Sequence, residues 1–213
     1  MTTSTAQRRA AVAALLRHIG HDFVARDLDD RLLDEILASL RPLLDELEGR
    51  PIRTRRRSDA LAALTSSLPS RDDPHRHLFA DSLVSGDANP HGLGAEIWRE
   101  GESVVSRVAL GRAYEGAPGR AHGGVVAALL DETMGLVMGV HDAFGFTARL
   151  EVTYREPVPV DATVVARAWL AHRDGRKATI RATLTHGETT LVEASALFIA
   201  VDPEQFLAST RGT

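Results

Sequence analysis

The chain has 213 residues, 44% of them hydrophobic and 25% charged, with a net charge of −4 at neutral pH. That is the balance of an ordinary soluble globular protein, long enough for one sizeable core plus an extension, or for two small domains. The acidic balance gives no electrostatic reason to expect a nucleic-acid partner, and the lack of cysteine excludes disulfides, thiol catalysis and thiolate metal sites.

No uninterrupted apolar run looks long enough to span a bilayer, and the start Met-Thr-Thr-Ser-Thr-Ala-Gln-Arg-Arg has no secretory pattern. A cytoplasmic protein without a membrane partner is the expectation. The first part of the chain is helical in pattern. From Asp27 to Glu48 the residues Leu33, Ile36, Leu40, Leu43 and Leu47 alternate steps of three and four along one face. Pro42 inside that run predicts a kink or a new helix start. Arg53, Arg55, Arg56 and Arg57 follow as a basic cluster, read either as a docking patch for phosphates or an acidic carrier protein, or as a solvated linker. Residues 66–90, rich in Ser, Asp, Pro and His, read as a linker or irregular cover. We therefore divide the chain into a helical N-terminal extension with linker over 1–80 and a second domain over 81–213.

That second domain is β in pattern, with one long helix. Leu93 to Arg99 and Ser103 to Leu110 read as strands about a turn at Gly101. A Gly-rich loop then leads into a helix from Gly124 to Val140. Afterwards Phe144 to Arg155, Thr163 to His172, Ala178 to His186 and Thr190 to Val201 all show period-two alternation, with hairpin turns at Asp174-Gly175 and Gly187-Glu188. In the third of these, Ala178, Ile180, Ala182 and Leu184 share one face and Thr179, Arg181, Thr183 and Thr185 the other. The helix is apolar almost all round, so it must be wrapped rather than laid on a surface. The class is α+β: an antiparallel sheet folded around a central helix.

The chemistry concentrates at the start of that helix, where His122-Gly123-Gly124 is followed by Asp131, nine positions after the histidine. A carboxylate on a greasy helix costs several kcal/mol to desolvate unless it is partnered or used, which makes Asp131 the leading active-site residue. Glycines at a helix start offer unpaired N–H groups and the positive end of the dipole, suited to a developing oxyanion. Nine residues of helix rise about 13 Å, too far for one helix to bring both groups to one carbon. A second, antiparallel copy of the helix solves this, so the spacing predicts a homodimeric site. Glu132, beside Asp131, is expected to point elsewhere as an exposed or salt-bridged side chain. His75-Arg76-His77 and the other histidines lack ligand spacing with supporting carboxylates, and no metal is assigned.

Residues 89–202 resemble the hotdog-fold thioesterases, in particular the phenylacetate-pathway (PaaI-like) enzymes and the mammalian THEM-type acyl-CoA thioesterases. The resemblance rests on Asn89-Pro90-His91-Gly92-Leu93-Gly94, on Tyr114 to Gly124, on Asp131, on Phe146 to Pro159, and on Asp174-Gly175-Arg176-Lys177. It implies a hotdog domain, a dimer or tetramer whose sheets join side by side, and hydrolysis of an acyl thioester, either acyl-CoA or acyl carrier protein. Coenzyme A or phosphopantetheine then arrives as part of the substrate, with no separate cofactor. By the same resemblance Gly123, with Gly124, polarises the carbonyl. Asp131 of the partner subunit acts as base or nucleophile, Thr147 positions the attacking water, and His122 orients the loop or the carbonyl. Arg176 and Lys177 correspond to the region that meets the nucleotide end of coenzyme A, and Arg155 and Pro157 to the substrate-binding segment. Gly116 stands where the phenylacetate branch has Asn, which weakens transfer of its aromatic acyl specificity. Two other readings use the same fold: dehydration or cyclisation of a biosynthetic thioester, and a non-catalytic acyl-thioester binder.

Overall fold

The computed structural model describes residues 4–54, 70–72 and 79–208. Arg55, Arg56, Arg57 and the His75-Arg76-His77 run lie outside the described residues, while Arg53 is exposed. Two helices come first, α1 (Thr5–Ala25) and α2 (Asp30–Glu48), each opened by a side-chain cap, Ser4 in a capping box with Gln7 and Asp29 on the Leu32 N–H. No new helix starts at Pro42: α2 runs through it as one helix. An exposed helix can carry the one carbonyl that proline leaves unpaired, because water satisfies it.

The second domain contains β1 (Glu96–Glu100), β2 (Ser103–Leu110), a 3₁₀ turn (Arg112–Tyr114), the short hairpin β3 (Glu115–Ala117) and β4 (Arg120–Ala121), and helix α3 (Gly123–Val140). Strands β5 (Gly145–Tyr154), β6 (Ala162–Asp174), β7 (Lys177–His186) and β8 (Thr189–Ala200) follow, then the short helix α4 (Pro203–Ala208). Six strands form one antiparallel sheet in the order β1-β2-β6-β7-β8-β5. Strand boundaries fall within a few residues of those expected. The 3₁₀ turn, the β3–β4 hairpin and α4 were not anticipated, being too short to show a period.

The sheet wraps α3. Val126, Leu129, Leu130, Met134 and Val137 on the helix have no exposed surface, and beneath them the sheet presents Ala166, Ala168, Ala178, Ala182, Ala194 and Ala196. Small residues on the strands let the helix lie close to the sheet, while the large ones on the helix fill the layer between. Each fully buried aliphatic side chain contributes about 1.5–3 kcal/mol. By length and composition α3 is also apolar enough to cross a bilayer, contrary to the sequence expectation, but much of that surface is spent on the sheet. The buried hydroxyls of Thr133 on α3 and Ser106 on β2 pair across 2.6 Å, and Thr133 donates to the Leu129 carbonyl at 2.6 Å.

Helix α1 is docked onto this domain. Arg17 donates to the carbonyls of Asp87 (3.0 Å) and Asn89 (2.6 Å), and His21 Nδ1 accepts the Ala113 N–H at 3.0 Å while its ring meets the edge of Tyr114. Burial lowers the His21 pKa from 6.5, an effect that nearby His18 and Arg17 reinforce and that Asp161 and Asp22 oppose. Protonation removes the lone pair that Ala113 uses. Between the folded and unfolded values the unfolded chain binds more protons, so stability falls as pH drops through 6.5 toward the folded value. Thermal denaturation of wild type should therefore lose more midpoint between about pH 7.5 and about pH 5.5 than that of His21→Gln, which has no proton to take up there.

Candidate active site

The loop into α3 is held in place before any ligand arrives. In the β3–β4 hairpin, Gly119 makes the turn at φ +74°, a region that strains any other residue. The Ala121 N–H donates to Val158 and the His122 N–H to Tyr114, at 2.8 Å each. His122 is the N-cap of α3, and its Nδ1 accepts the Gly124 N–H at 3.0 Å. This bond leaves the ring proton on Nε2, facing outward on an exposed residue. It also occupies one of the two glycine N–H groups assigned to the carbonyl. Among the described residues the Gly123 N–H has no acceptor, so Gly123 alone keeps a free donor at the positive end of the helix.

Tyr154 was not singled out in the sequence, yet its hydroxyl donates to the Gly123 carbonyl at 2.6 Å. Partial burial of the ring raises the phenol pKa, which keeps the proton in this bond. A Cβ on Gly123 would stand 3.0 Å from the Tyr154 hydroxyl, so a side chain there has to push the tyrosine aside. Gly116 is equally constrained: a Cβ would sit 2.9 Å from the His122 Cα, leaving no space for the Asn of the phenylacetate branch. Gly123 and Tyr154 share an open cleft of about 370 Å³ with Arg155 and Pro157. Arg155 is turned to Glu193 in an ion pair of 2.7 Å at the surface, so meeting a substrate phosphate would compete with that pair.

Asp131 lies eight helical steps from Gly123, which is about 12 Å along α3. Its Oδ1 accepts the Thr147 hydroxyl at 2.8 Å, joining the two residues the sequence reading had assigned to activate water. A bulge between Thr147 and Arg149 leaves Ala148 out of the ladder with β8. Bulges of this kind re-aim neighbouring side chains, here beside the carboxylate. The two residues line a second cavity of about 270 Å³ whose walls include Phe144, Phe146 and Phe198.

Glu132 departs from the expectation of an exposed or salt-bridged side chain. Its carboxylate accepts from the Ser82 hydroxyl (2.6 Å) and from the N–H (3.1 Å) and hydroxyl (2.5 Å) of Ser85. No sequence period marks this contact, which joins an irregular segment to a helix about fifty residues away. Arg176 and Lys177 are exposed at the β6–β7 turn, with Arg176 Nε on the Ala200 carbonyl at 3.1 Å. Lys177 pairs with Ile199, as does Phe146, so the turn lies at the Asp131 end of the sheet. Among the described residues no group of His, Asp and Glu is arranged to hold a metal.

A central helix wrapped by an antiparallel sheet, with a glycine N–H at its start and a hydroxyl-held aspartate on its flank, defines a class of protein. Residues 118–193 match the sequence profile of the thioesterase superfamily. That stretch runs from the β3–β4 turn through α3 into β8, so the match takes in the loop, the helix and the strands around it. The chain is similar to the acyl-coenzyme A thioesterase THEM4 of Mus musculus, 36% identical over 104 residues, 48% of this chain and 45% of that one. The THEM4 protein of Rattus norvegicus is 34% identical over 120 residues, 54% and 52% of the two chains. The chain thus spans about half the length of these curated relatives. A solved thioesterase superfamily protein superimposes with a TM-score of 0.75 at 23% identity over 90% of each chain, and so shares its fold.

The N-cap can be tested directly. His122→Ala should cost about 1 kcal/mol in urea denaturation and expose the Gly124 amide to exchange, and His122→Asn should restore most of the loss. An unchanged Gly124 amide in His122→Ala would count against the cap.

Proposed function

We propose that this chain hydrolyses acyl thioesters, carried on coenzyme A or an acyl carrier protein, in sites shared between two copies. The observation that carries the reading is the Asp131–Thr147 pair in an aromatic-walled cavity, set about 12 Å along α3 from the free Gly123 N–H. Neither half is sufficient for acyl transfer. Asp131 has no oxyanion donor beside it on its own helix, and the Gly123 cleft has no base among its lining residues but the exposed Glu156.

Strand β5 supplies a way to bring the halves together. It is an edge strand of ten residues, mostly exposed, and Thr147 and Tyr154, the contacts of Asp131 and Gly123, lie seven positions apart on it. Long exposed edges invite pairing with another strand. Antiparallel pairing with a second β5, centred between Leu150 and Glu151, sets Thr147 of one chain opposite Tyr154 of the other. The Gly123 of each copy then approaches the Asp131 of its partner.

In such a site the thioester carbonyl oxygen points at the Gly123 N–H. Thr147, whose hydroxyl keeps its proton in the hydrogen bond to Asp131, offers its lone pairs to a water. Asp131 takes one proton from that water as its oxygen attacks the carbonyl carbon, and the negative charge on the carbonyl oxygen meets the N–H and the helix dipole. The tetrahedral intermediate collapses, the C–S bond breaks, and the proton held by Asp131 passes to the departing sulfur. Asp131 as nucleophile gives the same products through an anhydride that water then opens. The Nε2–H of His122 is placed to donate to the substrate, and Arg176 and Lys177 are suited to phosphate groups on the carrier arm.

Asp131→Asn should lower thiol release from acyl-CoA substrates by about 10²–10⁴-fold while leaving ligand binding nearly intact. A variant with wild-type turnover would remove Asp131 from the chemistry. Release of free acid in equal amount to thiol separates hydrolysis from dehydration or cyclisation.

A further inference from the structure

The pocket beside Asp131 is closed on one side by chain that has no regular structure. Five of the six phenylalanines gather there: Phe79, Phe144, Phe146 and Phe198 line the cavity, and Phe206 packs on Phe144 and Phe146. Phe146 and Phe198 stand on β5 and β8, Phe144 immediately precedes β5, and Phe206 lies on α4. Phe79 comes instead from the segment that joins the helical extension to the domain. That segment reaches the core at Val84, whose carbonyl accepts the Ala95 N–H at 2.9 Å.

Glu132 binds this segment to α3. All three of its bonds go to Ser82 and Ser85, on either side of Val84, and both serines are nearly fully buried. Removing the carboxylate leaves two hydroxyls and one N–H without their acceptor in a site that water barely reaches, which favours withdrawal of the segment. Neighbouring positions on a helix point about 100° apart. Glu132 can therefore hold the wall while Asp131 faces the cavity, and both residues line it.

We propose that Glu132 is a positioning residue that latches the 79–85 segment over the Asp131 pocket, making Phe79 the wall that contacts the far part of a medium-length acyl chain. The proposal rests on the thioester reading of this pocket. A cavity of about 270 Å³ walled by Phe79, Phe144, Phe146 and Phe198 has room for a chain longer than acetyl, and a longer chain has more surface to lay against that wall. The latch consequently acts on affinity for the acyl tail, and the reacting carbon is left to Asp131 and Gly123.

The test compares wild type, Glu132→Ala and Glu132→Gln on acetyl-CoA, octanoyl-CoA and decanoyl-CoA. In Glu132→Ala, kcat/KM should fall by about twofold for acetyl-CoA and by about tenfold or more for decanoyl-CoA, mainly through KM. Glu132→Gln, which keeps one acceptor oxygen, should lie between the two. Hydrogen exchange at the Ser85 amide should be slow in wild type and fast in Glu132→Ala. Binding of decanoate, measured by calorimetry, requires no turnover and should weaken about tenfold in Glu132→Ala. Losses equal at every chain length, a change confined to kcat, or decanoate binding that ignores Glu132 would each overturn the latch, even with hydrolysis intact. Latch-dependent decanoate binding in a protein that cleaves none of the thioesters would instead uphold the pocket and overturn the hydrolytic reading.

Discussion

The rest of the structure depends on the burial of α3. A helix apolar on nearly every side is unstable in water unless it is enclosed, and the alanine-floored sheet encloses it at close range. Enclosure also makes the helix a rigid rod, so the distance between Gly123 at its start and Asp131 on its flank cannot adjust to a substrate. That fixed separation of about 12 Å is longer than one reacting carbon can bridge, and it is the geometric ground of the proposed two-chain site. The free edge of β5 sits where such a chain can be added, carrying Thr147 and Tyr154 with it.

Each candidate functional group is held in place by a hydrogen-bonded neighbour. His122 occupies the Gly124 N–H and, among the described residues, leaves the Gly123 N–H free, Tyr154 fastens the Gly123 carbonyl, and Thr147 fixes one oxygen of Asp131. Pre-positioning of this kind lowers the cost of meeting the transition state, because no group has to be ordered when charge develops. The helical extension enters the same scheme. Through His21 it holds Ala113 just before the Gly-rich loop, through Arg17 it holds Asp87 and Asn89 ahead of β1, and the 79–85 segment that precedes those two closes the pocket beside Asp131.

Much of this was legible in the sequence because its signals are periodic or chemically expensive. Alternation along residues 178–185 put Ala178, Ile180, Ala182 and Leu184 on the buried face, where the structure has them. Asp131 stood out as a charge on a greasy helix, and its partner Thr147 came from the resemblance rather than from any local pattern. What escaped depends on contacts between segments far apart in the chain. The serines that bind Glu132 look like ordinary linker residues, and Tyr154 looks like any strand aromatic. The alternative of a new helix starting at Pro42 fails for a local reason, because an exposed helix absorbs the lost bond in water and continues. The sharing of N–H groups between His122 and the loop was also invisible, since two adjacent glycines give no hint of which one the cap will take.

The central claim is that each active site draws Gly123 from one chain and Asp131 from another. The most direct measurement is subunit complementation, with differently tagged Asp131→Asn and Gly123→Val chains co-expressed, purified together and assayed for acyl-CoA hydrolysis. Each homodimer should be inactive, whereas half of a randomly paired mixture consists of heterodimers with one intact site in two, giving about a quarter of wild-type activity. A mixture as inactive as its parents would contradict the account, since it would place both residues in a site built from a single chain.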